Sequence, residues 1–120
     1  MKNKTLVLGA SENPARYSNL AIKKLGLYSH EVLAIGNKEG AVGQVPIVKN
    51  NIATDEVDTV TLYLNPLNQR PYYDYIISLH PRRIIFNPGT ENEELELLAS
   101  QNGISCIEAC TLVMLSTRQY

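Results

Sequence analysis

Short apolar runs alternate with segments of helical periodicity along the whole chain. Each run is rich in β-forming residues, and most of them end at a glycine or an asparagine. Such runs are typical of strands that are buried on both faces of a parallel sheet. The predicted strands cover residues 5–8, 31–35, 57–64, 83–86 and 104–107.

The segments between these runs carry apolar residues three and four positions apart, the spacing of an amphipathic helix. In the first helical segment the apolar stripe runs from Leu20 to Tyr28, and Ser18 is the predicted N-cap. Pro66 suits a first helical position, and Gly103 suits a helix C-terminal cap. The predicted helices cover residues 18–27, 66–80, 92–101 and 111–118.

This alternation of strands and helices predicts a doubly wound α/β fold. The expected core is a mostly parallel five-stranded sheet with helices on both faces. Residues 45–48 offer one short extra strand, and Pro46 predicts that this strand lies at an edge of the sheet. Residues 37–43 are polar and rich in glycine, and we expect a loop there. Residues 1–120 are then a single domain.

Composition narrows the class of function. The chain has 120 residues, with 11 Lys and Arg against 12 Asp and Glu, and a formal net charge of −1. It therefore lacks the basic surface of a general nucleic-acid-binding protein. The spacing of Cys106 and Cys110 matches no zinc site, so no metal site is predicted.

The same survey predicts where the protein works. Two cysteines are too few for a secreted disulfide scaffold. No apolar run approaches the roughly 20 residues of a membrane span, and no signal peptide is recognisable at the start of the chain. We therefore expect a cytoplasmic protein whose partner is a small molecule, with neither nucleic acid nor membrane.

Small and polar residues follow the predicted strands, at the edge where doubly wound folds bind ligands. Gly9 allows close approach of a ligand to the backbone, and Arg16 offers a cation. Ser11 and Asn13, with the helix that starts near Ser18, offer hydrogen-bond donors to a pyrophosphate. The candidate ligand-binding residues are Gly9, Ala10, Ser11, Asn13, Pro14, Arg16, Ser18, Asn37, Lys38, Asn65, Asn87 and Gly89.

The ends of the first two strands bear on which nucleotide would bind. No G-x-x-G continues after Gly9, so the first loop departs from the dinucleotide fingerprint. The second strand lacks the closing acid that holds a free ribose. Asn37 and Lys38 follow it instead, and an amide with a cation suits a phosphorylated ribose. Coenzyme A (CoA) and NADP are therefore favoured over NAD.

Four motifs stand in order along the chain. The run from Leu8 to Ser18 has the pattern L-G-A-S-x-x-P-x-R-x-S, and Ile35-Gly36-Asn37 follows the second strand. Asn87-Pro88-Gly89 and Glu108-Ala109-Cys110 come later. Together they resemble the motifs of the small CoA-binding domain family, which is similar to the CoA-binding domain of the succinyl-CoA ligase alpha subunit.

The resemblance covers nearly the whole chain and implies a Rossmann-like domain that binds CoA. It implies that the first glycine loop holds the phosphates and that the turn after the second strand holds the adenosine. Carried over by position, the phosphate contacts are Gly9, Ser11, Arg16 and Ser18, and the adenosine contacts are Asn37 and Lys38.

The leading interpretation is a module that binds CoA or an acyl-CoA over the carboxyl edge of the sheet. No catalytic residue is assigned, because no nucleophile elbow or Walker-type loop is present, and enzymatic activity stays an open question. One alternative is a small NADP-dependent reductase, with Tyr63 or Cys110 as proton donor. Another is an interaction protein with a degenerate nucleotide site. A homodimer or a partner protein is a further alternative for assembly.

Overall fold

Seven short strands form one sheet in residues 3–120, the part of the chain that the computed structural model describes. Three of them, Thr5–Leu8, Thr59–Leu62 and Arg83–Phe86, are buried at every residue, whereas Ser105–Glu108 at one edge is largely exposed. The strands are β1 (Thr5–Leu8), β2 (Val32–Ile35), β3 (Gly40–Val42), β4 (Val45–Val48), β5 (Thr59–Leu62), β6 (Arg83–Phe86) and β7 (Ser105–Glu108).

The strand order is β3-β4-β2-β1-β5-β6-β7. All neighbours are parallel except β3 and β4, which form an antiparallel hairpin at one edge. After β1 the chain adds β2 and the hairpin on one side of the sheet. It then returns to add β5, β6 and β7 on the other side of β1. The direction therefore reverses between β1 and β5, which pair in register from Thr5↔Thr59 to Leu8↔Leu62. Ligand crevices of doubly wound sheets lie at this switch point.

Helices cover both faces of the sheet. They are α1 (Tyr17–Leu27), α2 (Pro66–Gln69), α3 (Tyr73–Leu79), α4 (Glu93–Gln101) and α5 (Thr111–Ser116). On one face, Ile22 of α1 and Leu115 of α5 share a buried cluster with Val7. On the other face, Leu95 of α4 shares a cluster with Leu6. The predicted doubly wound, mostly parallel α/β fold is confirmed, and it is Rossmann-like.

The hairpin β3–β4 raises the strand count above the predicted five. Residues 40–42, which we expected in a loop, form β3 and pair with β4. The extra strand predicted at 45–48 is present, but it lies between β2 and β3 rather than at the edge. Pro46 is tolerated there because the register with β2 begins one residue later, at Ile47.

The first helix differs from the prediction at its start and on its inner face. Its N-cap is Arg16, whose side chain makes no capping hydrogen bond, and Ser18 is buried in the first turn. Leu20 and Tyr28, predicted to face the core, are 40% and 42% exposed, whereas Ile22 is buried. Ala21 and Leu25 are buried as predicted, and Ser18, Asn19 and Ile22 complete the buried face of the helix.

The predicted helix 66–80 is divided in two. It begins at Pro66 as predicted, but a 3-10 turn at Arg70–Tyr72 separates α2 from α3. Pro71 lies in that turn, and proline removes a helical hydrogen-bond donor. The second part ends at Leu79, because His80 adopts a left-handed conformation with φ 47°.

Two findings bear on membrane and metal chemistry. The longest helix, α1, has 11 residues, whereas a membrane span needs about 20. No helix within residues 3–120 is long and apolar enough to cross a membrane. In the same range no group of three His, Cys, Asp or Glu side chains is placed to hold a metal ion. Cys106 and Cys110 are both free thiols.

Candidate functional site

A crevice of about 760 Å³ opens at the carboxyl edge of the sheet, over the switch point between β1 and β5. Three groups of residues line it: the loop after β1 with the start of α1, the loop after β2, and the loops after β5 and β6. The lining residues are Gly9, Ala10, Ser11, Arg16, Tyr17, Ser18, Gly36, Asn37, Tyr63, Leu64, Asn65, Asn68, Pro71, Tyr72, Pro88, Gly89 and Thr90.

Two glycines let the backbones close around the floor of this crevice. Gly9 has φ 95°, and a Cβ there would lie 2.9 Å from the carbonyl carbon of Tyr63. At Gly36 a Cβ would collide with the carbonyl oxygen of Ala10. No other residue fits either position without moving the backbone, so both glycines set the width of the site.

The first loop, residues 9–16, is held in shape by its own polar side chains. The amides of Gly9 and Ala10 both donate to the carbonyl oxygen of Ile35, at 2.9 and 3.0 Å. Further along, the Ser11 hydroxyl accepts from the Asn13 amide at 3.1 Å. Asn13 Oδ1 in turn accepts from the Ala15 amide at 3.0 Å, an Asx turn.

These bonds explain the placement of two predicted contacts. Asn13 and Pro14 are exposed and lie outside the crevice lining. The Asn13 side-chain oxygen accepts from the Ala15 amide and the Asn13 backbone amide donates to the Ser11 hydroxyl, so both groups are engaged within the first loop.

The N-terminus of α1 borders the crevice without a side-chain cap. Arg16 holds the N-cap position with extended backbone, and the first turn contains no acidic residue. Helical geometry leaves the first amides of α1 without intrahelical partners, and the helix dipole makes this end positive. Arg16 and Ser18 both line the crevice. An anion placed here would meet amides, a hydroxyl and a guanidinium.

The second loop, residues 36–39, forms the neighbouring border. Gly36 and Asn37 line the crevice, and Asn37 is exposed to solvent. Lys38 is also exposed and does not line the crevice. The structure therefore brings Asn37 together with the first loop and leaves Lys38 on the outer side of the turn.

The loops after β5 and β6 form the other side of the crevice, which is called the opposite wall and is lined from residues 63–72 and 88–90. A buried side-chain amide, that of Gln69, joins these two loops. Gln69 Nε2 donates to the carbonyl oxygens of Leu64 and Thr90, each at 2.8 Å. Its Oε1 accepts from Asn92 Nδ2 at 2.8 Å. Asn65 lines the crevice, and its Oδ1 caps α2 by accepting from the Asn68 amide at 3.0 Å. This wall is thus pre-formed and uncharged.

Asn87 and Gly89 follow β6 but differ in position. Gly89 lines the crevice. Asn87 is buried, and its Nδ2 donates to the Thr61 hydroxyl at 2.7 Å and to the Leu62 carbonyl at 2.9 Å. Its Oδ1 accepts from the Thr111 amide at 2.8 Å. Asn87 therefore ties β5, β6 and α5 together behind the crevice, and the structure does not bring it to the lining.

Of the two proton donors of the reductase alternative, Tyr63 lines the crevice and Cys110 does not. Burial raises the pKa of Tyr63 to about 12. Its hydroxyl is buried without a hydrogen-bond partner among the described residues. Cys110 is half-buried at the N-cap of α5 and does not line the crevice.

Several lining residues were missed among the candidates from the sequence. Tyr17, Pro71, Tyr72 and Thr90 reach the crevice. Tyr17 lies between the predicted contacts Arg16 and Ser18 and could have been found from them. Pro71 and Tyr72 carry no such signal, because the break of the helix at Pro71 is what brings the 3-10 turn to the crevice.

A family model described as a CoA binding domain matches residues 3–116. One solved structure, described as the crystal structure of an uncharacterized protein, is 49% identical with a TM-score of 0.97. That match covers 100% of this chain and 99% of that chain. A hypothetical protein from Pyrococcus horikoshii OT3 is 22% identical with a TM-score of 0.87, over 98% of this chain and 84% of that chain.

A third solved structure is the dinucleotide forming acetyl-coenzyme A synthetase 1 of Ca. Korarchaeum cryptofilum in complex with phosphate and ADP. It is 17% identical with a TM-score of 0.70, over 90% of this chain and 26% of that chain. At these identities the archaeal structures share the fold alone, and among curated proteins none matches. The family model spans the first loop, the second loop and the opposite wall, and the chain belongs to the CoA-binding domain family.

Proposed function

We propose that the protein binds coenzyme A or an acyl-CoA in the crevice and has no catalytic machinery of its own. The observation that carries the proposal is the family match combined with an uncapped helix N-terminus on a pre-formed crevice. The volume of about 760 Å³ falls within the roughly 300–1,000 Å³ of small-molecule sites. Residues 1–120 would act together as one binding domain.

The pyrophosphate would lie against the N-terminus of α1. Helix N-termini bind phosphate through free amides and the positive end of the dipole. Arg16 adds a guanidinium, which can bind a phosphate through two parallel hydrogen bonds, and Ser11 and Ser18 add hydroxyls. This end of the crevice is the one that carries a cationic side chain in its described lining.

The rest of the ligand would extend in both directions from this point. The adenosine would lie at the second loop, beside Asn37, with the exposed Lys38 one residue away for the ribose phosphate. The pantetheine arm would run along the opposite wall. That wall combines apolar surface from Leu64 and Pro71 with amide groups, which suits an uncharged chain that contains two amides.

The chemistry of Tyr63 argues for this function over the NADP-dependent reductase. A general acid works best when its pKa lies near the working pH. Burial raises the pKa of Tyr63 to about 12. A catalytic tyrosine needs the opposite change, a pKa lowered toward the working pH. No lysine belongs to the crevice lining among the described residues, so none assists that hydroxyl.

Calorimetric titration with CoA, NADP and NAD under one set of conditions tests the proposal. We expect saturable binding of CoA and weaker binding of the other two. Arg16→Ala should weaken CoA binding about tenfold, equivalent to about 1.4 kcal/mol. Lys23→Ala removes an exposed cation from α1 that does not line the crevice, and it should leave the affinity within twofold. Tight NADP binding without CoA binding would contradict the proposal.

A further inference from the structure

Glu12 extends from the first loop to the hairpin β3–β4 and makes two distinct contacts there. Its Oε2 accepts a hydrogen bond from the Ala41 amide at 2.9 Å. Its carboxylate also lies flat against Gly40, where a Cβ would be 2.6 Å from each of the two oxygens. Real Cβ atoms do not approach so closely, so a side chain at position 40 would displace the carboxylate from this position.

The contact anchors a loop that is otherwise exposed. Residues 12–16 are all exposed to solvent. The root of the first loop is held by Ile35, and the Ser11 carbonyl oxygen accepts from Asn19 Nδ2 at 2.9 Å. Beyond Ser11, the bonds of Asn13 stay inside the loop. Arg16 joins the end of this loop to α1 through its carbonyl oxygen. Among the described residues, Glu12 is the one whose side chain bonds the loop to the β3–β4 hairpin.

The point of attachment lies just after the second loop. Gly36 and Asn37 of that loop line the crevice, and the chain then passes directly into Gly40 and Ala41 of β3. A bond between Glu12 and Ala41 therefore fixes the position of the first loop relative to the second. The first loop borders the place proposed for the pyrophosphate, and the second borders the place proposed for the adenosine.

We infer that Glu12 is a positioning residue that holds the pyrophosphate and adenosine parts of the crevice in fixed relation before the ligand binds. The inference rests on the proposed function. Loops that are ordered in advance do not lose conformational entropy on binding, and affinity rises accordingly. Loss of the contact between Glu12 and Ala41 should therefore weaken the binding of a ligand that spans both loops.

The contact depends on a hydrogen-bond acceptor and not on charge. The ion pairs within residues 3–120 are Arg70–Glu94 and Arg82–Asp58, so no cation in that range pairs with Glu12. A carboxylate beside a phosphate site repels an anionic ligand. Glu12→Gln keeps an acceptor oxygen and removes the charge, so it should bind CoA as tightly as the wild type or more tightly.

The test compares five variants by calorimetric titration with CoA. We expect Glu12→Ala and Gly40→Ala to weaken binding about tenfold each, and Glu12→Gln to show no weakening. The double variant Glu12→Ala/Gly40→Ala should be no weaker than either single variant, because both changes remove one contact. Glu39→Ala is the matched control, since it removes an exposed carboxylate from the second loop and should not weaken binding.

Amide hydrogen exchange at Ala41, measured without ligand, reports the contact itself. We expect protection in the wild type and in Glu12→Gln, and faster exchange in Glu12→Ala. Faster exchange in Glu12→Ala with unchanged CoA affinity would overturn the inference and leave the proposed function intact. Loss of affinity in Glu12→Gln equal to that in Glu12→Ala would also overturn it. A wild type that binds no CoA would overturn the proposed function first.

Discussion

The two edges of the sheet are built from different kinds of residue. At the carboxyl edge, Gly9 and Gly36 bring backbones together and leave a crevice above them. At the amino edge the strands begin with Thr5, Thr59 and Arg83, which lie side by side in register and are buried. The carboxyl ends of these strands therefore face an open crevice, whereas their amino ends are covered by packed side chains.

Tyr120 closes the amino edge. The carbon at the centre of the Arg83 guanidinium lies 4.5 Å from the centre of its ring, and the ring of His30 meets it edge-on at 4.9 Å. The Tyr120 and Thr5 hydroxyls are hydrogen-bonded, and Arg83 Nε donates to the Thr59 hydroxyl at 2.9 Å. Long side chains fill this edge, whereas small residues and free amides border the crevice of the other edge, where we propose that the ligand binds.

Tyr120→Ala should produce the largest effect on stability. The change removes an aromatic ring that covers Arg83 and His30, and we expect the free energy of unfolding to fall by about 3 kcal/mol. Chemical denaturation measures this. CoA affinity should stay within twofold, because the crevice lies at the far edge of the sheet.

The matched control is Gln119→Ala, which changes an exposed neighbour and should leave stability within about 0.5 kcal/mol. If Tyr120→Ala lowered the affinity for CoA as strongly as it lowered stability, the two edges would not be independent. The contrast between a stabilising edge and a binding edge would then be wrong.

Gly36→Ala should act mainly at the other edge. Its Cβ would collide with the Ala10 carbonyl oxygen and push the first loop away from the second. We expect CoA affinity to fall about 30-fold, equivalent to about 2 kcal/mol. Calorimetric titration of the folded variant measures it, and retention of wild-type affinity would contradict the assigned geometry.

Gly26→Ala is the control for that substitution. Gly26 lies inside α1, and a Cβ there would meet nothing within 4 Å. Alanine is a better helix former than glycine, so stability should rise by about 0.5–1 kcal/mol. CoA affinity should not change. A lower melting temperature in Gly26→Ala would contradict the open space around Gly26.

The smallest expected effect is a pH dependence at the amino edge. Burial, with the nearby Arg83 guanidinium, lowers the pKa of His30 below its ordinary value of 6.5, and Asp58 opposes this. Above that value both folded and unfolded states hold a neutral ring. As the pH falls below it, the unfolded chain takes up the proton first, so stability falls.

Thermal unfolding between about pH 7 and pH 5 checks this dependence. We expect the melting temperature to fall by a few degrees in the wild type and less in His30→Asn. His80→Asn is the control, because His80 is exposed and left-handed at the end of α3, a conformation that asparagine tolerates. An equal slope in His30→Asn and the wild type would exclude His30 as the cause.

The parallel core could be predicted from the sequence because burial on both faces leaves a continuous apolar run, as in Thr5–Leu8. The hairpin β3–β4 could not be predicted in full. Its first strand begins at Gly40, and glycine and polar residues are typical of loops. The carboxylate of Glu12, which is distant in sequence, packs against this glycine.

The candidate site divides in the same way. Gly9, Ser11 and Arg16 could be found because the first loop is local, and its contacts lie within a few residues. The position of Asn87 could not, because its side chain is bound to Thr61 and Thr111 of other elements. Residue type indicates that an amide will bind something, but only the packing of distant elements decides whether its partner is protein or ligand.

The most direct test of the contrast between the edges is a titration of isotope-labelled protein with CoA, followed by the backbone amide signals in NMR. We expect saturable shifts at Gly9, Ser11 and Asn37 of the carboxyl edge. The amides of Thr59 and Arg83 at the amino edge should stay unchanged. Shifts confined to the amino edge, or no saturable shift at any amide, would contradict the assignment of the crevice as a CoA site.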